Sequence, residues 1–167
     1  PGGAMPLGAP ETREAREFER RGWAGPAGPQ WAAVHPNGLC VVGVGPGHAG
    51  AGAGAPGASG ERGGGPAEVR FVAGDGRGGL EEVSGKRKKG APKVARGDPT
   101  AWLRPAAGAA EVPAAYGVSG RLLELNGRLC QEPGLLREDP LSRGWLAIVG
   151  PLNDAEVRAL RARSEPL

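Results

Sequence analysis

Aromatic side chains are scarce in this chain of 167 residues: Phe, Trp and Tyr together make up 4%, with two Phe and one Tyr. A large aromatic core is excluded, and the four Trp carry most of the bulk available to a small one. Three of them, Trp31, Trp102 and Trp145, lie inside or beside apolar runs, where a core would use them. Histidine occurs only at His35 and His48, neither with Cys, Asp or Glu at ligand spacing, so no metal site is expected. The two cysteines, Cys40 and Cys130, lack the short spacing of a zinc site and are too few for a disulfide framework. Two free, buried thiols in a reducing compartment are expected. No apolar run approaches the roughly 20 residues that a membrane span requires, and the N-terminal residues lack the charged-then-apolar order of a secretory signal. A soluble intracellular protein is the expectation. The sequence begins at Pro1 with its single Met at position 5, which leaves open an upstream start or a removed targeting peptide.

Small and stiff residues fill the space instead: Gly 32 and Pro 17 put the composition in the range of low-complexity chains. About 95 to 110 residues remain for one small core. Residues 1–30 are expected to be largely disordered, with at most a marginal helix over Glu11 to Arg21, where Phe18 is the only large apolar side chain. A single domain is expected over 31–149. Trp31 to Val44 divides into two strands at Pro36-Asn37-Gly38, the Asn-Gly pair supplying the positive φ angles of a tight hairpin. Gly45 to Pro66 has almost nothing to bury and is expected to be a flexible insertion. Glu68-Val-Arg-Phe-Val alternates as a half-buried strand does, and Leu80 to Val83 leads into a turn at Ser84-Gly85. Val94 and Ala101 to Arg104 supply further strand. An Ala/Gly-rich tip near Ala106 to Ala110 then separates them from a returning strand over Tyr116 to Leu125. Gln131 to Arg143 reads as a structured crossing loop, and Trp145 to Val149 as a strand bounded by Gly144 and Gly150-Pro151. In the segment 150–167, Asn153 with Glu156 three positions on, then Val157 and Leu160, predicts a C-terminal helix of about three turns and a tail. The class is mainly β.

Chemistry-bearing patterns are few. Gly45-Pro46-Gly47-His48-Ala49-Gly50 matches G-x-G-x-x-G, but the Gly/Ala tract behind it cannot supply the helix N-terminus that holds a pyrophosphate. Ser84 and Ser119 lack the strand-turn-helix setting of an activated serine. The neighbouring acids Glu81 and Glu82, or Glu138 and Asp139, read as solvated charge in turns. No catalytic residue, cofactor or metal is assigned, and no enzyme is expected. The formal charge of +3 is concentrated, because Lys86, Arg87, Lys88, Lys89, Lys93 and Arg96 fall together without an intervening acid. Lys86 to Lys89 suits a nuclear-import signal or an acidic partner surface; its plain alternative is a solvated turn. No aromatic residues interleave with these cations, which disfavours nucleic acid.

The spacing from Ser119-Gly120 through Glu124, Asn126, Leu129, Pro133 and Leu135 to Gly144-Trp145-Leu146 resembles the H protein of the glycine cleavage system. That resemblance implies a barrel-sandwich hybrid of the lipoyl/biotinyl-carrier type, with a C-terminal α-helix and disordered Gly/Pro/Ala-rich segments. It also implies a lipoylated lysine at the hairpin tip, which falls at about Ala109; no lysine lies beyond Lys93. Two further segments, His35-Pro-Asn-Gly-Leu-Cys-Val-Val with His48 beyond, and Val83-Ser-Gly-Lys-Arg-Lys-Lys-Gly-Ala, resemble the Simiate family of actin-binding transcription modulators. This second resemblance implies a non-enzymatic protein that binds monomeric and filamentous actin and modulates polymerisation. It further implies a place in the nucleus, including speckles, and in the cytoplasm and cell projections, with Lys86, Arg87, Lys88 and Lys89 as the candidate patch for actin or import factors. Ser119, Gly120, Glu124, Asn126, Pro133, Gly144 and Trp145 are the structural residues of the shared pattern. The alternative implied by the H-protein resemblance alone is an accessory or carrier fold without the lipoyl lysine, serving as a protein-interaction module.

Overall fold

The computed structural model describes residues 18–51, 66–72 and 92–167. Expectations for Leu80 to Val83, Ser84, Glu81, Glu82 and Lys86 to Lys89 therefore fall outside the described residues.

Chain polarity alternates over short stretches bounded by Gly and Pro, and the product is two antiparallel sheets. The larger has the order β10-β1-β2-β3-β9-β8-β5, and the smaller β4-β6-β7. In chain order these are β1 (Glu19–Gly25), β2 (Gly28–Val34), β3 (Cys40–Val44), β4 (Glu68–Phe71) and β5 (Lys93–Val94). Then come β6 (Pro99–Arg104), β7 (Val112–Ala115), β8 (Gly120–Leu125), β9 (Ala147–Pro151) and β10 (Glu165–Pro166). Two one-turn helices, α1 (Arg128–Gln131) and α2 (Leu135–Glu138), fill the crossing between β8 and β9. A longer helix, α3 (Asp154–Ala162), follows β9 and closes one end. Mainly β architecture with a C-terminal helix is thus what the chain adopts, and the fold is that of the lipoyl-type barrel-sandwich.

The core lies between the sheets. Val42 and Val44 of β3, Leu103 of β6, Leu122 of β8, Leu129 of α1, Leu136 of α2, Leu146 and Leu160 are all closed to solvent. Each such side chain contributes about 1.5–3 kcal/mol relative to exposure. One polar tie crosses between the layers. Gln30 of β2, 2% exposed, donates from Nε2 to the carbonyl of Ala115 in β7 (2.8 Å), while its Oε1 accepts the Ala115 N–H (3.0 Å).

Several expectations are corrected. The charged stretch ending at Arg21 is not helical at its described end: Glu19 opens β1, which pairs with β2 from Glu19↔Val34 to Gly25↔Gly28. The reason is pairing with β2 on one side and contacts from the C-terminal end on the other. Glu19 takes a bidentate contact from Arg161 of α3, Arg21 donates to the Ser164 hydroxyl and the Arg161 carbonyl, and β10 pairs along β1. Gly45 to Ala51, placed in the flexible insertion, is packed down, and His48, Gly50 and Ala51 are buried. The Ala49 N–H donates to Ala27, and a Cβ on Gly50 would meet Leu103 Cδ1 at 2.5 Å, so the glycine permits the close approach. The turn between β2 and β3 is wider than a two-residue Asn-Gly hairpin. Only Gly38 has a positive φ (94°), while Asn37 accepts the Leu39 N–H through its side chain. The return strand from the hairpin tip is split: β7 ends at Ala115, Tyr116 to Ser119 crosses between sheets, and β8 begins at Gly120. Trp102 and Trp145 are half-buried; Trp31 is the indole that goes fully inside. Cys40 is buried as expected, whereas Cys130 is exposed at the end of α1.

Candidate functional site

The β6–β7 hairpin projects from the three-stranded sheet and turns over Pro105 to Glu111. Gly108 sits at φ 79°, and the Ala109 N–H closes the turn on the Ala106 carbonyl (3.0 Å). Arg104 latches it: Nη1 donates to the Ala109 carbonyl at 2.7 Å, Nε meets Glu68 at 3.3 Å and Nη2 meets Glu111 at 3.6 Å. Arg70 of β4 adds a second contact to Glu111 at 3.2 Å. Each exposed pair contributes little alone, but four charges sharing partners across three strands restrict the tip. At its apex Ala106, Ala107 and Gly108 are exposed. The apex therefore presents backbone and methyl groups, with no nucleophile and no amine.

The patterned residues Ser119 to Trp145, which follow the hairpin, are brought together as a scaffold. Ser119 accepts the Arg96 N–H through its hydroxyl (2.9 Å), and its own N–H donates to Glu156 of α3 (3.1 Å). Gly120 lies against β9 so closely that a Cβ would stand 2.1 Å from the Gly150 oxygen. Glu124 is half-buried on β8 opposite Ile148. Asn126, 7% exposed, donates from Nδ2 to the carbonyls of Arg143 and Trp145, both at 2.9 Å, so it pins the start of β9 to the end of β8. Pro133 separates α1 from α2, and its carbonyl accepts the Leu136 N–H. Gly144 is buried between the carbonyls of Leu135 and Asp139, where a Cβ would come within 2.7 and 2.9 Å. Trp145 follows it, half-buried. None of these faces the hairpin tip with a reactive group; they set the path of the backbone.

With that scaffold and that hairpin in view, the comparison with known proteins is direct. The family model of the glycine cleavage H-protein matches residues 79–165, just over half of the chain. The chain belongs to the glycine cleavage H-protein family. It is 39% identical over 74 residues to a probable glycine cleavage system H protein 2 of Sulfolobus acidocaldarius, covering 44% of this chain and 48% of that one. It is 40% identical over 48 residues to a mitochondrial glycine cleavage system H protein of Mesembryanthemum crystallinum, 29% of each chain. The matched segments thus span about a third to a half of these relatives' length. The fold superimposes on the crystal structure of a glycine cleavage system H protein from Mycobacterium marinum with a TM-score of 0.52 at 18% identity, over 79% of this chain and 84% of that one.

The lipoate that the H-protein resemblance implies, held by an amide on a tip lysine, does not fit the residues here. Pro105 to Glu111 contains no lysine, and the four lysines of the sequence lie at 86, 88, 89 and 93. Lys93, the one among the described residues, stands on β5 at the edge of the seven-stranded sheet, whereas the tip belongs to the three-stranded one. Among the described residues there is also no group of three His, Cys, Asp or Glu placed to hold a metal, and no helix long and apolar enough to cross a membrane.

The Gly45 to Gly50 pattern resolves into a turn followed by a single 3₁₀ turn over Ala49–Ala51, without a helix N-terminus for a phosphate. Its histidine, weighed from the sequence only as a metal ligand and as part of a resemblance, is a buried residue of the core edge. His48 is 2% exposed, its Nδ1 accepts the Gly50 N–H at 3.0 Å, and its Nε2 has no partner among the described residues. Gln30 was passed over; a lone amide inside the run Pro29 to Val34 is the signal that could have found it. The described residues form open concavities, among them one of about 620 Å³ between α3 and the β2–β3 turn, edged by Phe18, Glu19, His35, Asp154, Val157 and Arg161, and one of about 590 Å³ beside Trp23, Pro29 and the C-terminal tail. In the first, Glu19 is held by Arg161 at 2.8 Å, and no catalytic role is assigned to its residues.

Proposed function

We propose that this chain is a non-enzymatic, lipoate-free member of the H-protein family that acts by binding other proteins. One observation carries the reading: the hairpin tip is latched by Arg104, Glu68, Glu111 and Arg70 but offers no amine for acylation. A carrier without an attachment point retains shape and surface, and those are what a protein-interaction module uses. Intact mass after incubation with lipoate and a lipoate-protein ligase tests this directly. The expected spectrum shows only the unmodified chain; an added lipoyl group on any lysine would reverse the assignment.

Actin, monomeric and filamentous, is the partner that the Simiate resemblance of His35 to Val42 and Val83 to Ala91 supports. Actin is acidic, and Lys86 to Lys89 supplies the complementary charge; the same four residues suit recognition by import factors and a nuclear as well as cytoplasmic distribution. Co-sedimentation with filaments across a salt series is the measurement. Binding that weakens as salt rises and falls on neutralising 86–89 supports actin, whereas a chain left in the supernatant at low salt removes it as the partner.

A further inference from the structure

Beyond Leu160, the last buried residue of α3, polar contacts strap the C-terminal segment to the sheet. Glu165, Pro166 and Leu167 are exposed, β10 has two residues of ladder on β1, and the Leu167 N–H donates to the Arg20 carbonyl at 3.0 Å. Ser164 is the joint between α3 and β10. Its hydroxyl accepts from Arg21 Nε at 3.0 Å and donates to the Leu160 carbonyl, while Arg21 Nη2 donates to the carbonyls of Arg161 (2.9 Å) and Ser164 (2.5 Å). One guanidinium thus collects carbonyls that the end of α3 leaves open, at the pole of the helix that favours a cation. Beside it, Arg161 grips Glu19 at 2.8 Å and Arg163 donates to the Gly117 carbonyl. The arginines of this segment also form a pattern along the chain. Arg158, Arg161 and Arg163 stand six, three and one positions before Ser164, and all three are exposed. Charges at fixed positions around the acceptor residue are what protein kinases select, and upstream arginines suit an acidic substrate groove. Ser119, which follows Tyr116-Gly117-Val118, and Ser142, which follows Asp139-Pro140-Leu141, lack that pattern.

We propose that Ser164 is a phosphorylation site for a kinase that reads upstream arginines, and that its modification unfastens the C-terminal strap from β1. In the step, the Ser164 oxygen attacks the γ-phosphorus of ATP and the bond from that phosphorus to the β–γ bridging oxygen breaks. ADP leaves with the electron pair, and the hydroxyl proton passes to the base of the kinase. Access needs the last turn of α3 to open. Helix ends fray, and Arg161 to Arg163 and Glu165 to Leu167 have no buried side chain to hold them. Once esterified, the oxygen cannot donate to the Leu160 carbonyl. The phosphate brings a charge of about −1.5 to −2 to the negative end of α3, next to Glu165 and among arginines that Glu19 already shares. Arg21 is the opposing force, because a phosphate draws its guanidinium into charge-assisted hydrogen bonds. That draw takes Nη2 away from the Arg161 and Ser164 carbonyls, so the contacts that close the strap are lost whichever effect leads. The outer edge of β1 at Arg20 to Gly22 is then uncovered.

The test incubates the full chain with magnesium-ATP and the catalytic subunit of cyclic-AMP-dependent protein kinase, an enzyme that selects arginine upstream of serine. Fragment mass spectrometry is expected to place a phosphoryl group on Ser164 of the wild-type chain, and the Ser164→Ala variant is expected to lack it. Hydrogen exchange then compares the phosphorylated chain with the unmodified one. The Arg163 and Leu167 amides, bonded to the Leu160 and Arg20 carbonyls, are expected to exchange about tenfold faster, as loss of a hydrogen bond or two implies. Amides of β2 and β3 are expected to keep their protection. Three results would each overturn the proposal. One is a full chain left unmodified where a peptide of residues 156–167 is phosphorylated. Another is modification confined to other residues. The third is exchange at Arg163 and Leu167 that is unchanged or slower once Ser164 carries its phosphate.

Discussion

His48 is buried with a ring proton that has nowhere to go. Since Nδ1 accepts from Gly50, the neutral ring carries its hydrogen on Nε2, which has no acceptor among the described residues. Burial pushes its pKa down to about 4, against about 6.5 for an unfolded histidine. The folded state therefore binds this proton more weakly than the unfolded state does, so stability is intact above about pH 6.5 and declines as pH falls toward 4. In His48→Asn, whose Oδ1 can still accept the Gly50 N–H, the fall in Tm between pH 7 and 4.5 should be visibly shallower than in wild type. Equal slopes by circular dichroism would remove His48 as the source. The cysteines differ by a similar logic. Burial pushes the Cys40 thiol up to about 12, while Cys130 is exposed and only raised. Iodoacetamide on the native chain should label Cys130 alone, with Cys40 reacting only after denaturant is added, as read by intact mass.

At the scale of elements, α3 shows how much a short sequence signal can carry. Asn153 adopts extended φ/ψ and accepts the Glu156 N–H at 3.2 Å, the capping arrangement that Asn-x-x-Glu predicts, and Leu160 turns inward. Asn153→Ala should cost about 1 kcal/mol and lower Tm by about 3–5 °C, with binding unchanged. β1 is the opposite case. Its run Glu19-Arg20-Arg21 has no strand periodicity, and besides its hairpin partner β2 it draws on the far end of the chain, Glu19 meeting Arg161 across 142 positions. Local patterning cannot register such a contact. β9 likewise begins two residues later than Trp145, because Asn126 and Ser142 take up the backbone leading into it.

For the molecule as a whole, the apolar core between the two sheets is crossed, among the described residues, by a buried amide tie. Gln30 meets both backbone groups of Ala115, and Gln30→Ala would leave a buried N–H and a buried carbonyl without partners. At about 1–3 kcal/mol per orphaned group, the loss should reach about 3–5 kcal/mol in urea unfolding; a loss below 1 kcal/mol would show that water replaces the amide.

The mainly β class, the crossing region from Ser119 to Trp145, the capped C-terminal helix and the missing tip lysine were all determined by the sequence itself, and the barrel-sandwich class followed from the resemblance that the crossing region carries. The local features depend on neighbours within a few turns or on a residue type that is simply absent. What the tertiary structure alone decided was the strand character of Glu19 to Gly25, the packing of Gly45 to Ala51, the burial of Gln30 and His48, and the pairing of Lys93 with Arg121. These depend on which distant backbone arrives alongside, and a polar or glycine-rich stretch becomes ordered only when that partner satisfies its hydrogen bonds and excludes water.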